Sequence, residues 1–203
     1  LGLLLCAGGM LAIAACRSYL PVLVFYSTVG MGSGLANIPI MVLVSYWFRQ
    51  QLRGRAAGLI VTGSGFAIIF SGFIVPRLNA DFGDDGWRAG WLLLGSIVLA
   101  VALLAAALIR NDPAEKGLEP AGCLQVLSYD PSETRGPFSL SKVLVHLGIL
   151  YFVFGATYVI YGTFIVTTMI EEYAFAEATA GKFWSWVGFF SLFSGTLFGI
   201  LSD

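Results

Sequence analysis

Long apolar runs alternate with short polar segments along the whole chain. The six runs cover residues 1–15, 20–48, 56–76, 91–109, 143–170 and 183–201. A helix needs about 20 apolar residues to cross the hydrocarbon core of a bilayer, which is the length of most of these runs. The first run is shorter, and we interpret it as a span truncated at the start of the sequence. The pattern predicts an all-α fold, a polytopic membrane helix bundle.

The longest polar segment divides the spans into two groups. Residues 110–140 contain four of the seven prolines, Pro113, Pro120, Pro131 and Pro137, so we predict a partly irregular connector there. Residues 1–109 precede it with four spans, and residues 141–203 follow it with two. We interpret these as parts of two helix bundles. The shorter polar segments, including residues 79–90, are predicted to be loops.

Composition indicates that the bilayer is the main solvent of the chain. Hydrophobic residues make up 58% and charged residues 11% of the 203 positions, whereas soluble proteins carry about 25% charged residues. The mean hydropathy is +0.85. The net charge of −1 argues against a nucleic-acid partner, which would require a basic surface. The expected surroundings are a lipid bilayer.

A basic joint, defined as residues 47–55, separates the second and third runs. If successive loops alternate across the membrane, seven Lys and Arg residues fall on the side of the joint: Arg49, Arg53, Arg55, Arg110, Lys116, Arg135 and Lys142. The other four fall on the opposite side: Arg17, Arg77, Arg88 and Lys182. Loops rich in Lys and Arg remain in the cytoplasm, so the joint and the connector are predicted to be cytoplasmic. Arg49, Arg53 and Arg55 are assigned to topology or gating.

Polar side chains concentrate in the second and fifth spans. Polar groups in hydrocarbon are costly, so they are expected to face protein or a water-filled cavity. Asn37 lies in the middle of the second span, and Tyr151, Tyr158 and Tyr161 share one face of the fifth at helical spacing. These four residues are the candidates for lining a solute cavity. The alternative is a structural role, with hydrogen bonds inside the bundle.

Glycines recur within the spans at intervals that favour close helix packing. Glycine lets two helix backbones approach each other in a membrane, where no hydrophobic effect drives association. Five positions are therefore predicted to pack helices: Gly30, Gly34, Gly58, Gly65 and Gly72. The glycine-rich segment 30–34 follows no strand and lies inside a span, so we reject a nucleotide-binding loop.

The sequence contains none of the residue groupings that indicate an enzyme. It has no pair of facing carboxylates, no nucleophile motif and no phosphate-binding loop. The single histidine, His146, is expected near the cytoplasmic end of the fifth span. Three cysteines, Cys6, Cys16 and Cys123, have no metal-ligand spacing. We therefore predict no catalytic residues, no metal site and no cofactor.

Several short motifs, in their order and spacing, resemble the major facilitator superfamily. They are residues 30–39, the Trp-Phe pair at 47–48, Arg-Gly-Arg-Ala-Ala-Gly at 53–58, Gly-Trp-Arg at 86–88 and Gly-Ile-Leu-Ser-Asp at 199–203. The resemblance covers nearly the whole chain and implies that it corresponds to helices three to eight of a twelve-helix fold. It implies that the second and fifth spans line a central cavity. It also places Asp203 and the basic joint in a cytoplasmic gating layer.

Two differences from the motifs of drug antiporters indicate which branch of the family the chain resembles. Residues 25–30 lack the arginine of many drug antiporters, and the third span lacks their Gly-Pro dipeptide. Residues 111–117 (Asn-Asp-Pro-Ala-Glu-Lys-Gly) look more like the monocarboxylate and oxalate/formate-like branch and its uncharacterised bacterial relatives.

The resemblance implies a secondary active transporter, not an enzyme, that moves a small organic solute such as a carboxylate by alternating access. A coupling proton or ion is a further candidate partner, and the bacterial inner membrane is the expected location. Two alternatives remain open: a drug or metabolite efflux transporter of the same fold, and a membrane sensor that does not transport.

Overall fold

The computed structural model describes residues 1–122 and 141–202, and these form six α-helices. In chain order they are α1 (Gly2–Ala15), α2 (Tyr19–Trp47), α3 (Gln50–Phe82), α4 (Gly86–Leu108), α5 (Lys142–Glu171) and α6 (Glu177–Ser202). Two short 3-10 turns occupy Gly83–Asp85 and Pro113–Lys116. The all-α prediction is confirmed.

Four continuous helical segments are long and apolar enough to cross a membrane: Tyr19–Trp47, Gln50–Leu108, Lys142–Glu171 and Glu177–Leu201. The second of them contains both α3 and α4, joined by the first 3-10 turn. The helix α1 is apolar but shorter. Many large apolar side chains along these helices are exposed on the protein surface, as expected for faces that meet lipid.

The predicted loops were wrong at two places, where the helices run further than the apolar runs. Only Phe48 and Arg49 interrupt the helix at the basic joint, since α3 begins at Gln50. The predicted loop 79–90 consists of the end of α3, the 3-10 turn and the start of α4. Hydropathy reports the thickness of hydrocarbon, whereas a helix of 33 residues is about 50 Å long and extends into water on both sides. Gly83, with a φ of 55°, ends α3 in a conformation that favours glycine.

The chain forms two compact units. Leu1–Cys123 together with Gly181–Asp203 make the first, and Leu124–Ala180 make the second. In the first unit α1 packs against α2 and α4, while α3 packs against α4 and more lightly against α2. Ala7 and Ile13 of α1 are fully buried at this centre. The second unit contains α5, which has no buried residue. The predicted division at residues 110–140 stays a prediction.

Close backbone contact joins α1 to α2. A methyl group on Gly32 would lie 2.8 Å from the carbonyl oxygen of Gly2, so only glycine fits there. The Cys6 thiol donates a hydrogen bond of 3.4 Å to the Val29 carbonyl across the same contact. Gly30 and Gly34, the predicted packing positions, have open space beside them in the part of the chain that the structure describes.

Arg88 fastens the start of α4 to the end of α1. Its guanidinium donates to the Cys16 carbonyl at 3.1 Å, pairs with Asp85 and stacks 4.8 Å from the ring of Trp87. The Gly-Trp-Arg motif therefore has a structural use at this helix end.

The α1–α2 contact leads to a first prediction. Gly32→Val should lower the thermal unfolding temperature of the detergent-solubilised full-length protein by several degrees, because overpacking a close contact costs about 1–3 kcal/mol. Gly34→Val, in the same helix with the same change in side chain, should stay close to wild type. Equal losses in both variants would contradict the assignment of the contact to Gly32.

Candidate functional site

A cavity of about 470 Å³ lies within the first unit and is lined by α1, α2, α3 and one residue of α4. Three polar side chains line it, Ser33 and Asn37 of α2 and Ser64 of α3. The other lining residues are apolar, except for the thiol of Cys6. This is a mostly apolar cavity with a few polar groups, the usual composition of a small-molecule site.

Two polar groups of this cavity remain available, the hydroxyl of Ser33 and the amide of Asn37. Asn37, like Ser33, is exposed and makes no hydrogen bond with any residue that the structure describes. Pro39 removes a backbone donor that the Leu35 carbonyl would otherwise meet. The Asn37 amide does not replace that donor, so it keeps both its donor and its acceptor capacity.

Hydroxyl groups in the spans are largely used within their own helices. Each donates a hydrogen bond of 2.6–3.0 Å to a carbonyl three or four residues earlier in the chain: Ser27 to Leu23, Thr28 to Val24, Ser45 to Val42, Ser64 to Val61, and Thr157 to either Val153 or Phe154. This local bonding satisfies a hydroxyl in an apolar environment. It leaves few free polar groups for a ligand.

Two of the predicted cavity tyrosines, Tyr151 and Tyr158, lie on one face of α5 within the second unit. The ring of Phe154 lies 6.4 Å from that of Tyr151 and 6.0 Å from that of Tyr158, measured between centroids. Tyr151 is 78% exposed, and Tyr158 and Tyr161 are also exposed. Sequence reasoning named the tyrosines and missed Phe154, which its spacing of three and four residues from its neighbours would have revealed.

The basic joint holds the first part of the connector. Phe48 pairs with Ala121 as an isolated parallel β-bridge. The Arg49 amide donates to the Ala121 carbonyl at 3.0 Å, and the Ala121 amide donates to the Trp47 carbonyl at 2.8 Å. The Arg49 side chain adds a hydrogen bond to the Pro120 carbonyl and an ion pair with Glu119, both at 3.2 Å.

Further contacts at the joint fix the end of α2. The Trp47 indole donates to the Arg110 carbonyl at 3.0 Å. Arg53 donates to the carbonyls of Phe48 and Ser45, both at 3.1 Å, where α2 ends. A guanidinium there satisfies carbonyls that have no partner in the helix. Arg55 is exposed in the same turns of α3, and Asp203 lies outside the described residues.

Glycines of α3 and α6 face each other along what we call the glycine seam. Gly54, Gly58, Gly65 and Gly72 of α3 meet Gly199, Gly195, Gly188 and Gly181 of α6, in that order. The two helices are therefore antiparallel, and both carry glycine at intervals of seven residues. A methyl group would lie 2.8 Å from the Gly65 carbonyl oxygen if placed on Gly188, and 2.7 Å from that of Gly58 if placed on Gly195. Helix backbones touch here without side chains between them.

Ser185 adds a hydrogen bond to the seam. Its side-chain oxygen lies 3.2 Å from the Ile69 carbonyl of α3 and 3.0 Å from the Gly181 carbonyl of its own helix. The residue is only 6% exposed. Gly58, Gly65 and Gly72 of the seam were among the predicted packing positions, whereas Gly54 was not. The partners Gly181 and Gly188 were missed, although their spacing from Gly195 repeats that of α3.

The joint leads to a second prediction. Arg49→Gln should weaken the attachment of residues 119–121 by about 1 kcal/mol, because one ion pair that is partly open to solvent and one hydrogen bond are lost. Amide hydrogen exchange at Ala121 should accelerate by several fold in the full-length protein. Lys116→Gln removes one positive charge at an exposed position of the connector and should leave the exchange of the Ala121 amide unchanged. If Ala121 exchanged equally in wild type and Arg49→Gln, the side chain would not hold the connector.

The glycine seam leads to a third prediction. Gly65→Val would press a side chain against the Gly188 carbonyl and Leu192, so the full-length protein should elute as aggregate or give little monodisperse material in size-exclusion chromatography. Gly63→Val changes the same helix at a position with nothing within 4 Å among the described residues. It should elute as wild type does. Normal elution of both variants would mean that the seam tolerates a side chain.

The whole sequence matches a known protein family. The family model for the Major Facilitator Superfamily matches residues 1–203. Human monocarboxylate transporter 14 is 32% identical over 123 residues, which is 57% of this chain and 23% of that protein. An uncharacterised MFS-type transporter of Mycobacterium tuberculosis is 28% identical over 182 residues, 89% of this chain and 38% of that protein.

Rat monocarboxylate transporter 4 is 25% identical over 169 residues, 82% of this chain and 33% of its own. The chain thus spans between about a quarter and two fifths of these relatives. No solved structure matches it. Because the family model spans every residue and the helices have membrane length, this chain is an integral membrane protein that belongs to the major facilitator superfamily.

Proposed function

We propose that the protein is a secondary active transporter that moves a small organic solute, such as a carboxylate, across the membrane by alternating access. The observation that carries this proposal is Asn37, an amide without a hydrogen-bond partner among the described residues, in a cavity of about 470 Å³ inside a membrane helix bundle. An unsatisfied polar group within a span is costly, so its retention favours a polar ligand. Relatives that are named monocarboxylate transporters support the carboxylate.

The chemistry of the candidate polar groups suits a carboxylate. The amide nitrogen of Asn37 is a hydrogen-bond donor, and a carboxylate accepts such bonds on both oxygens. The serine and threonine hydroxyls that already bond to their own helices are poor competitors for this role. In the second unit, the exposed residues Tyr151, Tyr158 and Tyr161 are separate candidates for contacting the solute.

Alternating access requires two helix bundles that move relative to each other around the solute. We propose that residues 1–109 and 141–203 belong to these two bundles and that residues 110–140 connect them on the cytoplasmic side. Arg49 would hold the connector, and Arg53, Arg55 and Asp203 would act near the inner gate. A proton or another ion is the proposed coupling partner.

The proposed location is a bacterial inner membrane. The long match to a mycobacterial transporter supports a bacterial location, and the count of Lys and Arg supports a cytoplasmic joint. A reporter fused after Arg53 should therefore be cytoplasmic.

Transport by the full-length protein in proteoliposomes gives a fourth prediction. Labelled lactate or acetate should accumulate when an inward proton gradient is imposed. Asn37→Leu should raise the KM by about tenfold, because one hydrogen bond to a charged group is worth about 1.5 kcal/mol. Tyr158→Phe should raise it by several fold for the same reason.

Ser27→Ala is the matched control in α2, since that hydroxyl bonds to the Leu23 carbonyl of its own helix. It should leave uptake unchanged. Uptake that is indifferent to both Asn37 and Tyr158 would remove these residues from the site. Export of dyes without carboxylate uptake would indicate an efflux transporter, and carboxylate binding without flux would indicate a sensor.

A further inference from the structure

The glycine seam leaves a groove on each side, and the two grooves differ in chemistry. One, of about 640 Å³, lies between α1, α3, α4 and Trp184 of α6, and Ser71 is its single polar lining residue. The other, of about 320 Å³, is lined by α3 and α6 alone among the residues that the structure describes. Its lining residues are Ile69, Phe73, Lys182, Ser185, Trp186 and Phe189. We call the second one the Lys182 groove.

Lys182 is the unusual group in this groove. It lies on the second turn of α6, and no other residue between Gly181 and Ser202 is charged. Its side chain is exposed and makes no ion pair with any residue that the structure describes. A lysine in a membrane helix is costly unless it reaches water or meets an anion. The groove therefore contains an exposed ammonium group that has no ion-pair partner in the part of the chain that the structure describes.

Aromatic rings continue from Lys182 along the same face of α6. Trp186, Phe189 and Phe193 follow it by four, seven and eleven residues, which is helical spacing. The Trp186 and Phe189 rings meet edge to face with centroids 5.5 Å apart, and Phe189 and Phe193 do so at 5.3 Å. Trp186 is 59% exposed. One face of α6 thus presents an ammonium group at one end and open ring surface beyond it.

The opposite wall of the groove is built in a similar way. Ile69, Phe73 and Arg77 of α3 recur every four residues and form one ridge. Because α3 and α6 are antiparallel, Arg77 lies toward the same end of the seam as Lys182. Arg77 is exposed and also has no ion-pair partner in the described part of the chain. Two cations at one end would attract an anion to the groove.

Ser185 contacts both helices that form the groove. The Lys182 ammonium is then the polar group that can recognise a ligand. The Ser185 side-chain oxygen lies within hydrogen-bond distance of the Ile69 and Gly181 carbonyls, as described above. It is also buried. The Ser185 hydroxyl therefore donates its hydrogen bond within the seam. Selectivity for a ligand would come from the charge of Lys182 and the shape and ring surface around it.

We propose that the Lys182 groove binds an organic anion whose carboxylate meets the Lys182 ammonium and whose apolar, ring-bearing body lies against Trp186 and Phe189. The volume of about 320 Å³ is at the lower end for small-molecule pockets. An aryl-substituted carboxylate uses both the charge and the rings, whereas acetate uses the charge alone. This inference rests on the proposed transport of carboxylates and narrows their class.

Binding and uptake by the full-length protein test the proposal, with labelled phenylacetate and labelled acetate as probes in vesicles of neutral phosphatidylcholine. Lys182→Gln should weaken phenylacetate binding by about tenfold or more, as expected for loss of a charge-assisted contact. Lys182→Arg keeps the charge and should restore most of the affinity. Lys142→Gln removes a lysine at the start of α5 and should change nothing.

A tryptophan pair tests the part played by the rings. Trp186→Leu should weaken phenylacetate binding by about five- to tenfold, since an aromatic contact is lost, and should hardly change the weaker binding of acetate. Trp184→Leu alters the other groove by the same substitution. It should leave the preference for phenylacetate over acetate as in wild type.

The outcomes separate this inference from the proposed function. If Lys182→Gln binds phenylacetate as tightly as wild type, the Lys182 groove is not the binding site, even if carboxylates are transported. Binding that depends on Lys182 without any flux supports the groove and contradicts transport. If acetate is taken up but phenylacetate does not bind, the proposed transport is supported and the proposed binding site in the groove is refuted. A Lys182 effect on the binding of anionic lipid alone would make it a lipid site and refute the proposal.

Discussion

Direct backbone contact between α3 and α6 is the constraint on which the chemistry of the first unit depends. In a bilayer no hydrophobic effect holds two helices together, so close packing has to supply the attraction. Glycine at Gly58, Gly65 and Gly72, opposite Gly195, Gly188 and Gly181, allows it. The contact also fixes the rotation of α6 about its own axis. Lys182 and Trp186 consequently face one groove, and Trp184 faces the other.

Polar groups in the spans fall into two sets with different uses. Many hydroxyls bond to carbonyls of their own helix. The guanidinium groups of Arg49, Arg53 and Arg88 bond to carbonyls or carboxylates of the same unit, where they lie at helix ends or hold the connector. Other groups have no partner among the described residues, and in the two cavities discussed these include Ser33, Asn37 and Lys182. Since such groups are costly in a membrane, they are the places where a polar or anionic solute would be recognised.

The positions of several residues show the reach of sequence reasoning. The six helices and the seven-residue glycine interval of α3 followed from composition and periodicity. The interpretation of residues 30–34 was less accurate, because Gly32 makes the contact while its neighbours Gly30 and Gly34 face open space. Three glycines two residues apart lie on different sides of a helix, and periodicity within one helix cannot show which side meets a neighbour.

By itself the sequence determined the solvent, the helical class and the family motifs, because these depend on local composition and on spacing along one chain. Tertiary structure decided which groups meet. The Arg49 side chain bonds to the Pro120 carbonyl, and Phe48 pairs with Ala121 through the main chain, so the partners are backbone groups that carry no residue signal. The groove between Lys182 and Phe73 depends on two helices that are about 110 residues apart in sequence. Such contacts are set by how helices pack, and only the folded chain specifies that.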